Sequence, residues 1–367
     1  MTILEGKKKS AWTLQPIMNT HPYEALKTSS ECNQTFFCSI ATALGNWWSS
    51  LNVDRVFRRI ASWWASFHTP SGNDHTRCSE TEQVDERVKW KKLLGEELGC
   101  GLTSRVILIE RDEVLCAEKT IRCEDMEQLE MVRKEIAIQK MVDDHENVAS
   151  VISFHVNMPL SVIVMEYAGS RTLVEYICSH RKNSSDEVVL LELLDALCHL
   201  HRLRIAHLDI KADNVVLSDH MEGPRIKLVD FGMSEHGDDA LDISNPRGTI
   251  QYCAPEVIAE GVYNGFSADV WSFGIVVVCI SYGCLAFHAP RPDCDMFVLF
   301  DQLQRDSGAL ASEALRRCYE DSDDRSFETS LSPLKMLMLD SCLHVQTERR
   351  SSVHETMSRC EALQMLT

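Results

Sequence analysis

Residues 207–217 read HLDIKADNVVL: an acid, a cation and an amide set two and three residues apart between two apolar stretches. Asp209, Lys211 and Asn214 do not belong in the buried middle of a strand, so their types and spacing point to chemistry or binding. Upstream, Gly99, Cys100, Gly101, Ser104 and Val106 fit G-x-G-x-x-G-x-V, with Ser104 in the third glycine's place. Glycines so placed let backbone N–H groups close on phosphate oxygens with no Cβ in the way. A glycine-containing hairpin turn would read the same. Lys119 closes the run Cys116-Ala117-Glu118-Lys119, and Glu135 follows sixteen residues later. A lysine on a strand and a glutamate on a facing helix can pair so that the ammonium is aimed at phosphates. For any isolated pair, an exposed lysine and a solvated helix face are the plainer reading. Leu228-Val229-Asp230-Phe231-Gly232 adds one more acid beyond the opening stretch.

Elements must hold these groups in place. SRVILI (104–109) and VLCAEKTI (114–121) read as two strands of a hairpin turned by ERDE. Residues 125–142 have helical periodicity with an acid-rich first turn, which suits a helix N-terminus. VASVISF and LSVIVMEY read as two more strands. Beyond Gly169 the chain is expected to turn helical, with apolar stripes at 187–203, 267–282 and 333–343. Strands first and helices later predict an α+β chain, a small β-rich lobe joined to a larger helical one.

Composition sets outer bounds. The chain has 367 residues, 44% hydrophobic and 25% charged, enough to bury a sizeable core. A net charge of −18 argues against whole-surface binding to nucleic acid or anionic lipid and is compatible with basic protein substrates. No run approaches the roughly 20 apolar residues of a membrane span. MTILEGKKKSAWTLQP has no secretory-type apolar run, and the 15 cysteines form no C-x-x-C pair or zinc spacing. The expected setting is reduced and intracellular, most simply cytoplasmic.

Gly248-Thr249-Ile250-Gln251-Tyr252-Cys253-Ala254-Pro255-Glu256 and Asp269-Val270-Trp271-Ser272-Phe273-Gly274 follow the motifs above. In this order the set resembles the signature of eukaryotic protein kinases of serine/threonine type, over about residues 88–363. The resemblance implies a bilobal α+β fold, with a small antiparallel β lobe carrying one main helix (86–168) and a mainly helical lobe (169–367). It makes Asp209 the acid that accepts or orients the proton of a substrate hydroxyl, and Lys211 the cation facing the transferring phosphoryl group. It implies ATP and magnesium, or manganese, as cofactors, with Asn214 and Asp230 as the metal ligands. Lys119, held by Glu135, would grip the inner phosphates. The nucleotide site would take in Gly99, Cys100, Gly101, Ser104 and Val106, then Ala117 and Leu217. Met165-Glu166-Tyr167-Ala168 matches the link between lobes: the Glu166 carbonyl and Ala168 N–H would meet adenine, with Met165 at the back of the pocket.

Several positions depart from the pattern. Leu208 stands where most such kinases carry an arginine that pairs with a phosphate on the activation segment. Phosphate on Ser234, Ser244 or Thr249 would thus lack its main partner, and activity should depend little on it. Thr249 resembles the threonine that contacts the catalytic loop in serine/threonine kinases and, with Lys211, argues against a tyrosine kinase. Gln139 sits where an apolar residue usually stacks between the lobes, and His145 comes one residue late: either the helix register differs or the stack is partly polar. Glu256 and Arg350 match the ion pair that anchors the lower lobe. KADNVVLS and the non-arginine at 208 are similar to the NF-κB-inducing kinase among MAP kinase kinase kinases, and HLDIK with DFGMSE to the Mos kinase. The rival from another class is a pseudokinase, a scaffold binding nucleotide and partner proteins. Only Ser104 and Gln139 favour it.

Residues 1–85 form an extension. Within 36–68, Phe37, Ile40, Leu44, Trp48 and Leu51 follow helical spacing, as do Val56, Ile60, Trp63, Trp64 and Phe67. This Trp-rich amphipathic segment would pack on the kinase domain or dock a partner protein, in preference to lying on a membrane surface beside Arg55, Arg58 and Arg59.

Overall fold

Two strands are joined by a tight hairpin in which Asp112 and Glu113 both take left-handed backbone angles (φ 50° and 65°) that match the twist of the strands they join. The structure, a computed structural model, describes residues 91–101, 103–179, 185–220, 223–259, 261–320 and 331–366. The expectations for 36–68 and for a boundary at residue 85 lie outside these residues. Strands β1 (Lys91–Cys100), β2 (Ser104–Arg111), β3 (Val114–Arg122), β4 (Val151–His155) and β5 (Leu160–Glu166) form one antiparallel sheet in the order β1-β2-β3-β5-β4. Its register sets Val106 opposite Lys119, and Ala117 opposite Met165.

One helix, α1 (Met126–Met141), covers this sheet. Asp125 caps it by accepting a hydrogen bond from the Gln128 N–H at 2.8 Å, which stabilises the first turn. Leu129, Val132 and Ile136 recur on one face and bury against Ile121, Ile163 and Met165. That burial fixes which face of α1 looks at β3, and so sets the direction of Glu135.

The larger lobe packs α2 (Leu173–Ser179), α3 (Asp186–Arg202), α4 (Pro255–Ile258), α5 (Gly265–Tyr282), α6 (Asp295–Ser307), α7 (Ala311–Glu320), α8 (Pro333–Cys342) and α9 (Val353–Gln364) around one core. Helix α5 is its axis. It is long and apolar enough by composition to cross a membrane, but nearly all its residues are buried inside the lobe. Asn264 caps its start and Gly283, at φ 73°, ends it. Trp271 on α5 is fully buried among the rings of Phe287, Phe297 and Phe300.

This lobe is less purely helical than the sequence suggests. Strands β6 (Arg171–Thr172), β8 (Val215–His220) and β9 (Gly223–Leu228) form a three-stranded sheet, and β7 (Ile205–Ala206) pairs with β10 (Glu235–His236). Strands of two residues, such as β6, β7 and β10, are too short for a period-two pattern to stand out. They matter for function, because residues 207–214 are the loop between β7 and β8. That is why an acid, a lysine and an amide sit between two apolar runs.

Candidate active site

Lys119 lies in the middle of β3, where its ammonium meets two carboxylates from different elements. Nζ is 2.6 Å from Glu135 Oε1 on α1 and 2.9 Å from Asp230 Oδ1, two residues beyond β9. Burial works against the charge on Lys119, but both carboxylates outweigh it and hold its pKa above the ordinary value. Burial likewise opposes ionisation of Asp230, and Lys119 overcomes it, so the Asp230 pKa is lowered. Burial raises that of Glu135 despite the ion pair.

The Asp209 carboxylate is the second focus. Oδ2 accepts from Lys211 Nζ at 2.7 Å and from Asn214 Nδ2 at 3.1 Å. Oδ1 accepts from the Thr249 backbone N–H at 2.9 Å and from its hydroxyl at 2.8 Å. Lys211 Nζ also donates to Thr249 Oγ1 at 2.9 Å, closing a ring of acid, lysine and threonine. Asn214 Nδ2 donates a further bond to the Asp209 carbonyl at 2.9 Å.

The loop that holds Asp209 is fixed from beneath. Asp269 of α5, fully buried, accepts from the backbone N–H of His207 (2.7 Å) and of Leu208 (2.8 Å), with His201 Nε2 at 3.1 Å. These bonds support Leu208 at φ 67°, a left-handed conformation that costs free energy for a side-chain-bearing residue. Asp230 also takes a left-handed φ, 66°. His207 is fully buried, T-shaped against Phe231 at 5.0 Å, and burial lowers its pKa. Gly248 (φ +88°) lets the following segment run against the loop: a Cβ there would stand 2.4 Å from the Leu208 carbonyl oxygen. Nothing in the sequence alone marked Asp269 as the anchor, although it opens the DVWSFG motif.

The residues expected to hold a nucleotide and a divalent cation come from β1, β2, β3, β8, the connection between the lobes and the segments flanking β8 and β9. Gly101 N–H bonds the Ser104 carbonyl at 2.8 Å, closing a short turn from Gly99 and the exposed Cys100 into β2, where Val106 stands opposite Lys119. Ala117 and Leu217 are buried, as are Met165 and Ala168 at the lobe connection. The Glu166 side chain is drawn off to Lys227 Nζ at 2.9 Å. Gly169 follows, where a Cβ would lie 2.1 Å from the Leu217 carbonyl oxygen, so only glycine brings the connection this close to β8. Asn214 commits its amide nitrogen to Asp209, so it can offer a metal its amide oxygen. Among the described residues no group of three or more His, Cys, Asp or Glu could hold an ion by itself. Two protein oxygens, from Asn214 and Asp230, suit magnesium, which keeps substrate phosphates and water as its other ligands.

Residues 93–360 match the family model of the protein kinase domain. The chain belongs to this family. It is 34% identical over 203 residues to the serine/threonine-protein kinase SAPK3 of Oryza sativa subsp. indica, covering 53% of this chain and 59% of that protein. It is 29% identical over 205 residues to the carbon catabolite-derepressing protein kinase of Secale cereale (53% of this chain, 40% of that protein). The mitosis inducer protein kinase cdr1 of Schizosaccharomyces pombe is 29% identical over 225 residues, covering 60% of this chain and 36% of that protein. The chain thus spans about half the length of these relatives or less.

Within this kinase domain the departures take definite form. Gln139 is fully buried, and its amide nitrogen meets the Ala149 carbonyl at 2.8 Å and Met165 Sδ at 3.6 Å. Leu208 is buried and apolar. Ser234 is also buried, donating its hydroxyl to the His207 carbonyl at 3.2 Å, whereas Ser244 is exposed.

Proposed function

We propose that this kinase domain transfers the γ-phosphoryl group of ATP, with magnesium, to serine or threonine hydroxyls of protein substrates. The observation that carries the reading is the convergence of Lys211, Asn214 and Thr249 on the single carboxylate of Asp209, in a loop bonded through the Asn214 carbonyl to the Val229 N–H at 3.0 Å, next to Asp230 of the Lys119–Glu135–Asp230 cluster. Asp209 orients the incoming hydroxyl and takes its proton as the new O–P bond forms and the bond to the ADP oxygen breaks. Lys211 faces the charge spread over the transferring group, and Lys119 holds the inner phosphates. Asn214 and Asp230 would hold magnesium, which would supply positive charge to the phosphates. A loose phosphoryl transition state needs such positioning and charge more than a strong base. Lys119→Met tests it: phosphoryl transfer should fall about 100-fold or more. Turnover near the wild-type rate would sink this assignment.

The same reading includes little dependence on phosphate in the activation segment. Leu208 offers no cation, and the Ser234 hydroxyl is buried and engaged. Phosphatase-treated enzyme should keep its rate; a large loss would mean that another residue reads a phosphate. KADNVVLS and DFGMSE support a place near the NF-κB-inducing and Mos kinases. We assign 1–85 to an extension that docks a partner or packs on the domain, in an intracellular, cytoplasmic protein.

A further inference from the structure

Glu235 is a buried acid that the reaction itself does not use. It opens β10, directly opposite Ala206 of β7, one residue before the catalytic loop. Only 5% exposed, it meets two cations: Lys134 of α1 through Oε2, and Arg247 through Oε1, whose Nη1 is 2.6 Å away. Arg247 also donates to the Met233 carbonyl at 3.2 Å. Each partner adjoins a residue of the catalytic machinery. Lys134 precedes Glu135, the counter-ion of Lys119, and Arg247 lies two residues before Thr249, which bonds Asp209.

We propose that Glu235 is a positioning residue, an internal carboxylate that does for this chain what an activation-segment phosphate does by pairing with cations. It ties α1, the base of the catalytic loop and the segment carrying Thr249 into the active arrangement. Activity in this family requires the Lys–Glu pair and the metal-binding aspartate to be in place together, and the position of the helix governs that. A phosphate would draw such cations together by added charge. Here a carboxylate already holds them, and a carboxylate buried this deeply needs its cations to offset the lost hydration. The proposal rests on the reading that activity does not need phosphate, and it names the group that makes phosphate dispensable.

The test is steady-state kinetics on phosphatase-treated full-length enzyme, wild type beside Glu235→Gln, Lys134→Met and Lys134→Arg. Glu235→Gln keeps shape and removes charge. Lys134 is about half exposed on its side chain and Arg247 stays paired with Glu235 when Lys134 is replaced, and thermal denaturation of each variant beside the kinetics separates a loss of rate from a loss of fold. Wild type should keep its rate, and Glu235→Gln and Lys134→Met should each lose about tenfold in kcat, close to 1.4 kcal/mol. Lys134→Arg should retain most activity, which a role in packing alone would not require. If phosphatase treatment alone silenced wild type, the phosphate-independent reading would fall, and this proposal with it. If treated wild type stayed active and Glu235→Gln and Lys134→Met matched it, or Lys134→Arg lost as much as Lys134→Met, the proposal alone would fall.

Discussion

Single side chains carry most of the chemistry, and these were the most legible part of the sequence. Asp209, Lys211, Asn214 and Asp230 stood out because polar groups between apolar runs have few structural uses. The structure draws them into two clusters, around Asp209 and around Lys119. Glu235 and Asp269 lie inside the DFGMSE and DVWSFG motifs, but a lone acid in a sequence carries no sign of the cations or N–H groups that meet it in space. His207 allows a pH prediction at this scale. Burial keeps its folded-state pKa below the ordinary 6.5, so the unfolded chain binds a proton that the folded chain refuses. The stability from neutral His207 is therefore fully present above pH 6.5 and is lost as pH falls from there through the lowered folded value. Thermal denaturation of wild type and His207→Gln between pH 7.5 and pH 5 (roughly the span over which histidines titrate) should show a steeper acid loss in wild type. Parallel curves would contradict it.

Elements were legible in proportion to their length. The helices at 126–141, 186–202 and 265–282 and the hairpin at 104–122 show enough periods to be read, and their ends fall within a few residues of expectation. Strands β6, β7 and β10 have two residues each, too few for any pattern, and they form only because the core around them supplies partners. The catalytic loop hangs between one such strand, β7, and the six-residue β8, so its anchoring was hidden while its chemistry was plain. Asp269→Ala would leave the His207 and Leu208 N–H groups without their partner, at about 1–3 kcal/mol for each orphaned donor. Chemical denaturation should show this loss in the free energy of unfolding; a change under 0.5 kcal/mol, roughly that of an ordinary surface substitution, would contradict the anchor. Gly248→Ala should push the Thr249 segment off the loop through its clash with the Leu208 carbonyl, lowering kcat with modest loss of stability. Unchanged kcat would show that the segment tolerates the shift.

At the scale of the whole molecule, two lobes meet across the cleft and one buried ion pair braces the larger lobe. Arg350 binds Glu256 through both terminal guanidinium nitrogens, one at 2.7 Å, lies over Trp271 at 5.0 Å, and donates from Nε to the His344 carbonyl at 2.7 Å. Arg350→Ala would strand the Glu256 carboxylate and cost about 3–5 kcal/mol, read as a drop in the unfolding midpoint. The central claim concerns Asp209, and the most direct test is transfer of labelled phosphate from ATP with magnesium to a generic basic protein, wild type beside Asp209→Asn, with nucleotide binding measured on both. The account predicts transfer by wild type alone and nearly equal nucleotide binding by the two. Equal transfer by Asp209→Asn would remove Asp209 from the reaction, and no transfer by either, with nucleotide still bound, would make the chain a binding scaffold.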